Sequence, residues 1–62
     1  MIIIRYIRNK EGPRDLVHVS EEVPEIAQKV IHADTFIHEG AVFAVVSKQY
    51  DIDNNQLIIY VQ

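Results

Sequence analysis

Residues 1–8 read MIIIRYIR, and this stretch decides the fold because β-branched and aromatic residues favour a strand. Successive side chains of a strand alternate between its faces, so Ile2 and Ile4 share one face while Ile3 lies on the other. Residues 41–50 and 57–62 have the same character, with apolar residues on both faces. The sequence therefore predicts a sheet whose two sides both need cover.

A single helix is predicted over residues 23–31. Ser20 is a suitable N-cap, and Pro24 falls in the first turn, where its missing N–H costs little. The apolar residues that follow recur at the spacing of one helix face, and we expect this face to pack on the sheet. These residues are Val23, Ile26, Ala27, Val30 and Ile31.

Two shorter stretches and two turns complete the expected architecture. Residues 16–19 pair back on the first strand as a hairpin or run straight into the helix, and residues 35–37 are a possible short strand. A polar loop centred on Asn54-Asn55 predicts a hairpin of the last two long strands, with the first strand beside one of them. The expected fold is one α+β domain over residues 1–62, with one helix packed on a mainly antiparallel sheet of three to five strands, in the order β(β)α(β)ββ.

The short length of the chain points to self-association or to an unusually well-packed core. A chain of 62 residues buries only about 60% of its unfolded surface, and it has no cysteine with which to form a disulfide. The 48% hydrophobic content is high enough for folding. With no targeting segment and no apolar run of about 20 residues, we expect a cytoplasmic protein that does not enter a membrane.

Apolar strand surface that the predicted helix does not cover indicates where a partner binds. One helix covers one sheet face, so the other face, or an edge strand, is expected to form a homodimer and to meet an unidentified protein partner. Strand alternation suggests a shared face for the candidate interface residues, although a slip of one residue would reassign them. These residues are Phe43, Val45, Ile58 and Tyr60.

The charge distribution suggests nucleic acid as an alternative partner. Residues 1–19 carry a net charge of +2 and residues 20–62 carry −5. Basic side chains interleaved with tyrosine suit phosphate contacts and base stacking on single-stranded nucleic acid, although the acidic second part of the chain argues against such a partner. The candidate nucleic-acid contacts are Arg5, Tyr6, Arg8, Lys10 and Arg14.

No catalytic, metal-binding or ligand-binding motif stands out in the sequence. His18, His32 and His38 fall on different predicted elements, so they lack the spacing of a metal site. Residues 51–55 copy the start of a calcium loop but are followed by glutamine where glycine is needed, so they predict a polar turn. No nucleophile motif or phosphate-binding glycine loop is present in the sequence, and we expect no catalytic residue, no metal and no cofactor.

These observations predict a non-enzymatic protein–protein interaction module that acts as a homodimer in an accessory or regulatory role. Its size and composition resemble those of short accessory proteins of bacteria and phages. The alternative is a nucleic-acid-associated regulator that uses the basic N-terminal hairpin. A metal- or ligand-binding sensor that uses the histidines is a third and weaker possibility.

Overall fold

Strands dominate the part of the chain that the computed structural model describes, which is residues 1–19 and 29–62. They take 60% of these residues, and helix takes only 8%. The helical segment covers residues 29–32. The strands are β1 (Ile2–Tyr6), β2 (Arg14–Val19), β3 (Thr35–His38), β4 (Ala41–Asp51) and β5 (Gln56–Val61).

The five strands form one mixed sheet in the order β2-β1-β5-β4-β3. β1 and β5 lie in the centre and run parallel, with Ile4 opposite Ile59, and all other neighbours are antiparallel. Two predicted pairings are confirmed: the hairpin of the last two strands, and the first strand beside one of them. Of the two alternatives for residues 16–19, the structure shows the hairpin with β1. The first and last strands of the chain therefore lie side by side in the interior of the sheet.

The core lies on the two central strands, where β-branched residues follow one another without a break. The buried residues of β1 are Ile2, Ile3 and Ile4, and those of β5 are Ile59 and Val61, both of which are fully buried. Since Ile3 alternates with Ile2 and Ile4, β1 is buried on both of its faces. This burial on both sides explains why residues 2–4 are all isoleucine.

Two irregularities bend the sheet into a half-barrel. One extra residue of β2, Leu16, interrupts the pairing with β1, and one extra residue of β4, Val46, interrupts the pairing with β5. An extra residue of this kind increases the local twist and bends the strand. The curled sheet thereby brings Phe36 and Phe43, from the β3 side, against the core cluster of the central strands.

The expected fold class, an α+β pair of layers with one helix packed on the sheet, is wrong. The fold is a curled five-stranded half-barrel with only a small helical segment. The physical reason is that the curled sheet covers much of its own core with side chains of β2, β3 and β4. On a flat sheet, the helix would have to cover the core, as the interpretation of the sequence assumed.

Most of the predicted helix, together with its N-cap Ser20, lies outside the described residues. Within the described part, Val30 packs against the core cluster, as its place in the predicted apolar stripe implies. Ile31 behaves differently, because 39% of its surface is exposed. Within residues 29–32, Val30 is therefore the residue that packs against the core cluster.

Candidate interaction site

The hairpin of β3 and β4 positions the candidate site. Its two-residue turn, Glu39-Gly40, has positive φ at both residues, 50° and 80°. A two-residue turn of this kind matches the natural twist of two antiparallel strands and sets their register. It places Phe36 opposite Phe43 and Ile37 opposite Val42.

Neighbouring residues of this hairpin lie on opposite faces, because side chains alternate along a strand. Phe36 and Phe43 pack against the core cluster, so Ile37 and Val42 lie on the face away from it. The exposed fraction is 75% for Ile37 and 66% for Val42. Two opposed apolar side chains form a small exposed patch, which we call the hairpin patch.

The hairpin patch borders an edge of the sheet, because β3 is the last strand in the order. The carbonyl oxygen of Asp34 accepts a hydrogen bond of 2.9 Å from the amide of Val45, so even-numbered residues of this segment bond to β4. By alternation, the N–H and C=O groups of Thr35 and Ile37 point away from β4. In the described parts of the chain, no strand pairs with them.

The four residues expected to form the interface do not share one face. Val45 lies opposite Val61, whereas Tyr60 lies opposite Ser47, because the extra residue of β4 falls between the two pairs. Phe43 and Val45 therefore pack against the core cluster. Ile58 and Tyr60 alternate with the buried residues of β5 and lie on the opposite face. All four are half-buried.

Polar contacts cross the face on which Tyr60 lies. Arg5 donates a hydrogen bond of 2.6 Å from Nε to Asp15 on the neighbouring strand, and Tyr60 donates one of 2.8 Å to Gln49. The hydrogen bond from Arg5 holds the pKa of the Asp15 carboxyl below its ordinary value, and the same contact raises the pKa of Arg5. This face is therefore polar along β1, β2 and β5, whereas at its β3–β4 end it carries the exposed apolar hairpin patch.

The candidate nucleic-acid contacts, which are four basic residues and Tyr6, form a set that the structure divides between separate surfaces. Arg5 is paired with Asp15, whereas Tyr6 points to the core side, where its ring meets Phe43 edge to face with centroids 5.2 Å apart. The remaining three members of the set, Arg8, Lys10 and Arg14, are exposed beside or within the loop after β1.

The histidines lie on three separate elements. His18 of β2 contacts the sulfur of Met1 at 2.9 Å, and His38 at the end of β3 lies 4.0 Å from the carboxylate of Glu39. His32 ends the helical segment. Within residues 1–19 and 29–62, no group of three or more His, Cys, Asp or Glu side chains is arranged to hold a metal ion.

A shallow depression lies beside the turn between β4 and β5. The carboxylate of Asp51 accepts hydrogen bonds from the backbone amide of Asn54 at 3.3 Å and from its side-chain amide at 2.8 Å. These bonds hold the pKa of Asp51 below its ordinary value. Asp51 therefore stabilises the turn. The depression is lined by Gln49, Tyr50, Asp51, Ile52, Asp53 and Ile58.

Sequence reasoning missed Ile37 and Val42 as candidate contact residues. The Glu39-Gly40 turn was the signal that could have found them, because a two-residue turn fixes which residues of the flanking strands stand opposite each other. With Phe36 and Phe43 as the large pair facing inward, Ile37 and Val42 must face outward.

No helix in the described residues is long and apolar enough to cross a membrane. Comparisons with protein-family models, with curated proteins and with solved structures find no match.

Proposed function

We propose that this protein is a non-enzymatic protein–protein interaction module that acts as a homodimer in an accessory or regulatory role. One observation supports this proposal: the hairpin patch is exposed beside a sheet edge whose hydrogen-bonding groups point outward. Exposed edge strands are templates for pairing with another chain.

The small core adds an energetic reason for association. Only five apolar residues of the described chain are buried. Full burial of an isoleucine or valine side chain stabilises a protein by about 1.5–3 kcal/mol, and Ile37 and Val42 contribute little of this while they stay exposed. A contact that covers both would therefore favour the associated form.

Sedimentation equilibrium at micromolar concentration tests the proposal. We expect a species of twice the chain mass of 7.2 kDa. A species of 7.2 kDa across the whole concentration range would contradict the homodimer. A matched run at high salt separates apolar from ionic association, because an apolar contact persists as salt rises.

The alternative, a nucleic-acid-associated regulator, draws its support from the exposed side chains of Arg8, Lys10 and Arg14. Its test is binding to single- and double-stranded oligonucleotides at low salt, where phosphate contacts are strongest. Joint replacement of Arg5, Arg8 and Arg14 by glutamine should abolish such binding. If the wild type binds neither form at low salt, the alternative is excluded.

A further inference from the structure

We infer that two copies of the chain pair antiparallel through β3, about a two-fold axis that passes beside Phe36. The inference rests on the proposed homodimer and names its contact. Two five-stranded half-barrels would then share one continuous sheet of ten strands, with β3 no longer at an edge. A two-fold axis closes the assembly with two copies, whereas pairing of β3 with the β2 edge of another copy is a head-to-tail contact that leaves free edges unless its rotation closes a ring.

Backbone geometry limits the registers that such a dimer can take. Opposed residues of antiparallel strands share a face, so the axis passes beside one residue and opposed residue numbers have an even sum. With the axis at Phe36, Thr35 of each copy lies opposite Ile37 of the other. These are the two residues of β3 whose N–H and C=O groups point outward, and each of the two pairs exchanges two hydrogen bonds.

Side chains favour this register over its neighbour. It places Phe36 beside Phe36 of the second copy, and aromatic cross-strand pairs stabilise a sheet. It also places Asp34 of each copy opposite His38 of the other, so a carboxylate meets an imidazole N–H twice. With the axis at Ile37 instead, Phe36 would face His38 and Asp34 would face Gly40. The aromatic pair and the two carboxylate–imidazole contacts therefore favour the axis at Phe36 over the axis at Ile37.

The other edge of the sheet is less suited to pairing. β2 carries Arg14 and Asp15, of which Asp15 already bonds Arg5 on its neighbour, and the extra residue Leu16 interrupts its ladder. Charged side chains and irregularities of this kind are the features that protect an edge from another strand. β3 contains neither a lysine nor an arginine nor a proline, and its pairing with β4 is regular.

Cysteine cross-linking tests the register, because the chain has no cysteine of its own. The variants Thr35→Cys and Ile37→Cys are made separately, and one of them is isotopically labelled. Opposed residues of a hydrogen-bonded pair have Cα atoms about 5.5 Å apart, within the range of a disulfide. In the inferred register, identical residues at position 35 or 37 are about 8–9 Å apart, beyond that range.

We expect the mixture of the two variants to form a disulfide that joins a labelled to an unlabelled chain, at twice the chain mass. Each variant alone should stay unlinked, and so should Ile52→Cys, an exposed control at the β4–β5 turn. Both test positions are exposed, so circular dichroism should show an unchanged fold.

The outcomes separate the inference from the proposed function. Linking of Ile37→Cys to itself would move the axis to Ile37 and overturn the inferred register. A dimer in sedimentation with no cross-link in any sample would overturn pairing through β3 and leave the homodimer intact. A wild-type monomer would overturn both.

Discussion

Lys48, near the middle of β4, donates a hydrogen bond from Nζ to the main-chain carbonyl oxygen of Ile31. This carbonyl belongs to the helical segment of residues 29–32, whose C-terminal end carries partial negative charge. Ile31 is 39% exposed, so its apolar packing on the sheet is weak. The hydrogen bond from Lys48 therefore helps to hold the helical segment against the sheet.

Replacement of Lys48 by methionine should lower the free energy of unfolding by about 0.5–1.5 kcal/mol, since methionine keeps the apolar stem but loses the donor. Chemical denaturation measures the change. Lys10→Met, in the loop after β1, is the matched control and should change stability by less than about 0.5 kcal/mol. Equal effects of the two variants would show that the contact does not stabilise the fold.

Ile59 and Ile31 should respond differently to the same substitution. Ile59→Val removes a methyl group from a fully buried side chain and should cost about 0.5–1.5 kcal/mol. Ile31→Val, at a partly exposed position, should cost less than about 0.5 kcal/mol. Urea denaturation of both variants decides between the half-barrel and a layer of helix on sheet. A larger cost at Ile31 would favour the helix layer.

The ion pair of Arg5 and Asp15 should make stability depend on acid pH. Because Arg5 lowers the pKa of Asp15 in the folded state, the ionised pair stabilises the fold above the unfolded pKa of an aspartate, about 3.9. This contribution disappears as the pH falls through the lower folded value. Since the side chains are 30% and 44% exposed, it should amount to about 0.2–1 kcal/mol.

Asp15→Asn measures this contribution. The variant should be less stable than the wild type at neutral pH, and the difference should shrink as the pH falls below the unfolded pKa of an aspartate and through the lower folded value, because the wild-type carboxyl then also becomes protonated. A double-mutant cycle with Arg5→Met isolates the pair. A difference that stays constant from neutral to acid pH would rule out the ion pair as its source.

The turn between β3 and β4 should gain stability from a single replacement. Glu39 has φ of 50°, in the left-handed region that costs most residues energy and that asparagine tolerates. Glu39→Asn creates the preferred Asn-Gly turn and should raise the free energy of unfolding by about 0.5–1 kcal/mol. Glu11→Asn removes the same charge at a residue without positive φ and should have no such effect in thermal denaturation.

Ile37→Glu should weaken the proposed dimer without unfolding the chain. The side chain is 75% exposed in one copy, so folding should be unchanged. In the inferred dimer, the new carboxylate replaces the apolar side chain in both cross-strand pairs of Ile37 with Thr35, each of which contributes about 0.2–1 kcal/mol. We expect a dissociation constant in sedimentation that is about 2- to 30-fold higher. Ile52→Glu, at a position 81% exposed, is the control. An equal loss in both variants would point to a contact elsewhere.

Local sequence pattern determined where the strands lie. Runs of β-branched residues bounded by Gly40 and by Asn54-Asn55 predict β4 and β5 within one residue of their observed ends, because alternation and turn chemistry act over a few neighbouring residues. The same reasoning predicted β1 as a strand apolar on both faces that lies beside one of the last two strands. The hairpin of β4 and β5 follows from a short polar loop between two apolar strands.

Only the tertiary structure decided which residues face the core. The extra residue Val46 shifts the register within β4, so that Val45 lies opposite Val61 while Tyr60 lies opposite Ser47. This irregularity reverses the expected faces, and no local signal in the sequence marks it. The curl of the sheet is also decided at this level, because it depends on the pairing of β1 with β5 from opposite ends of the chain. Contacts between residues so far apart are set by global packing and not by the preferences of neighbouring residues.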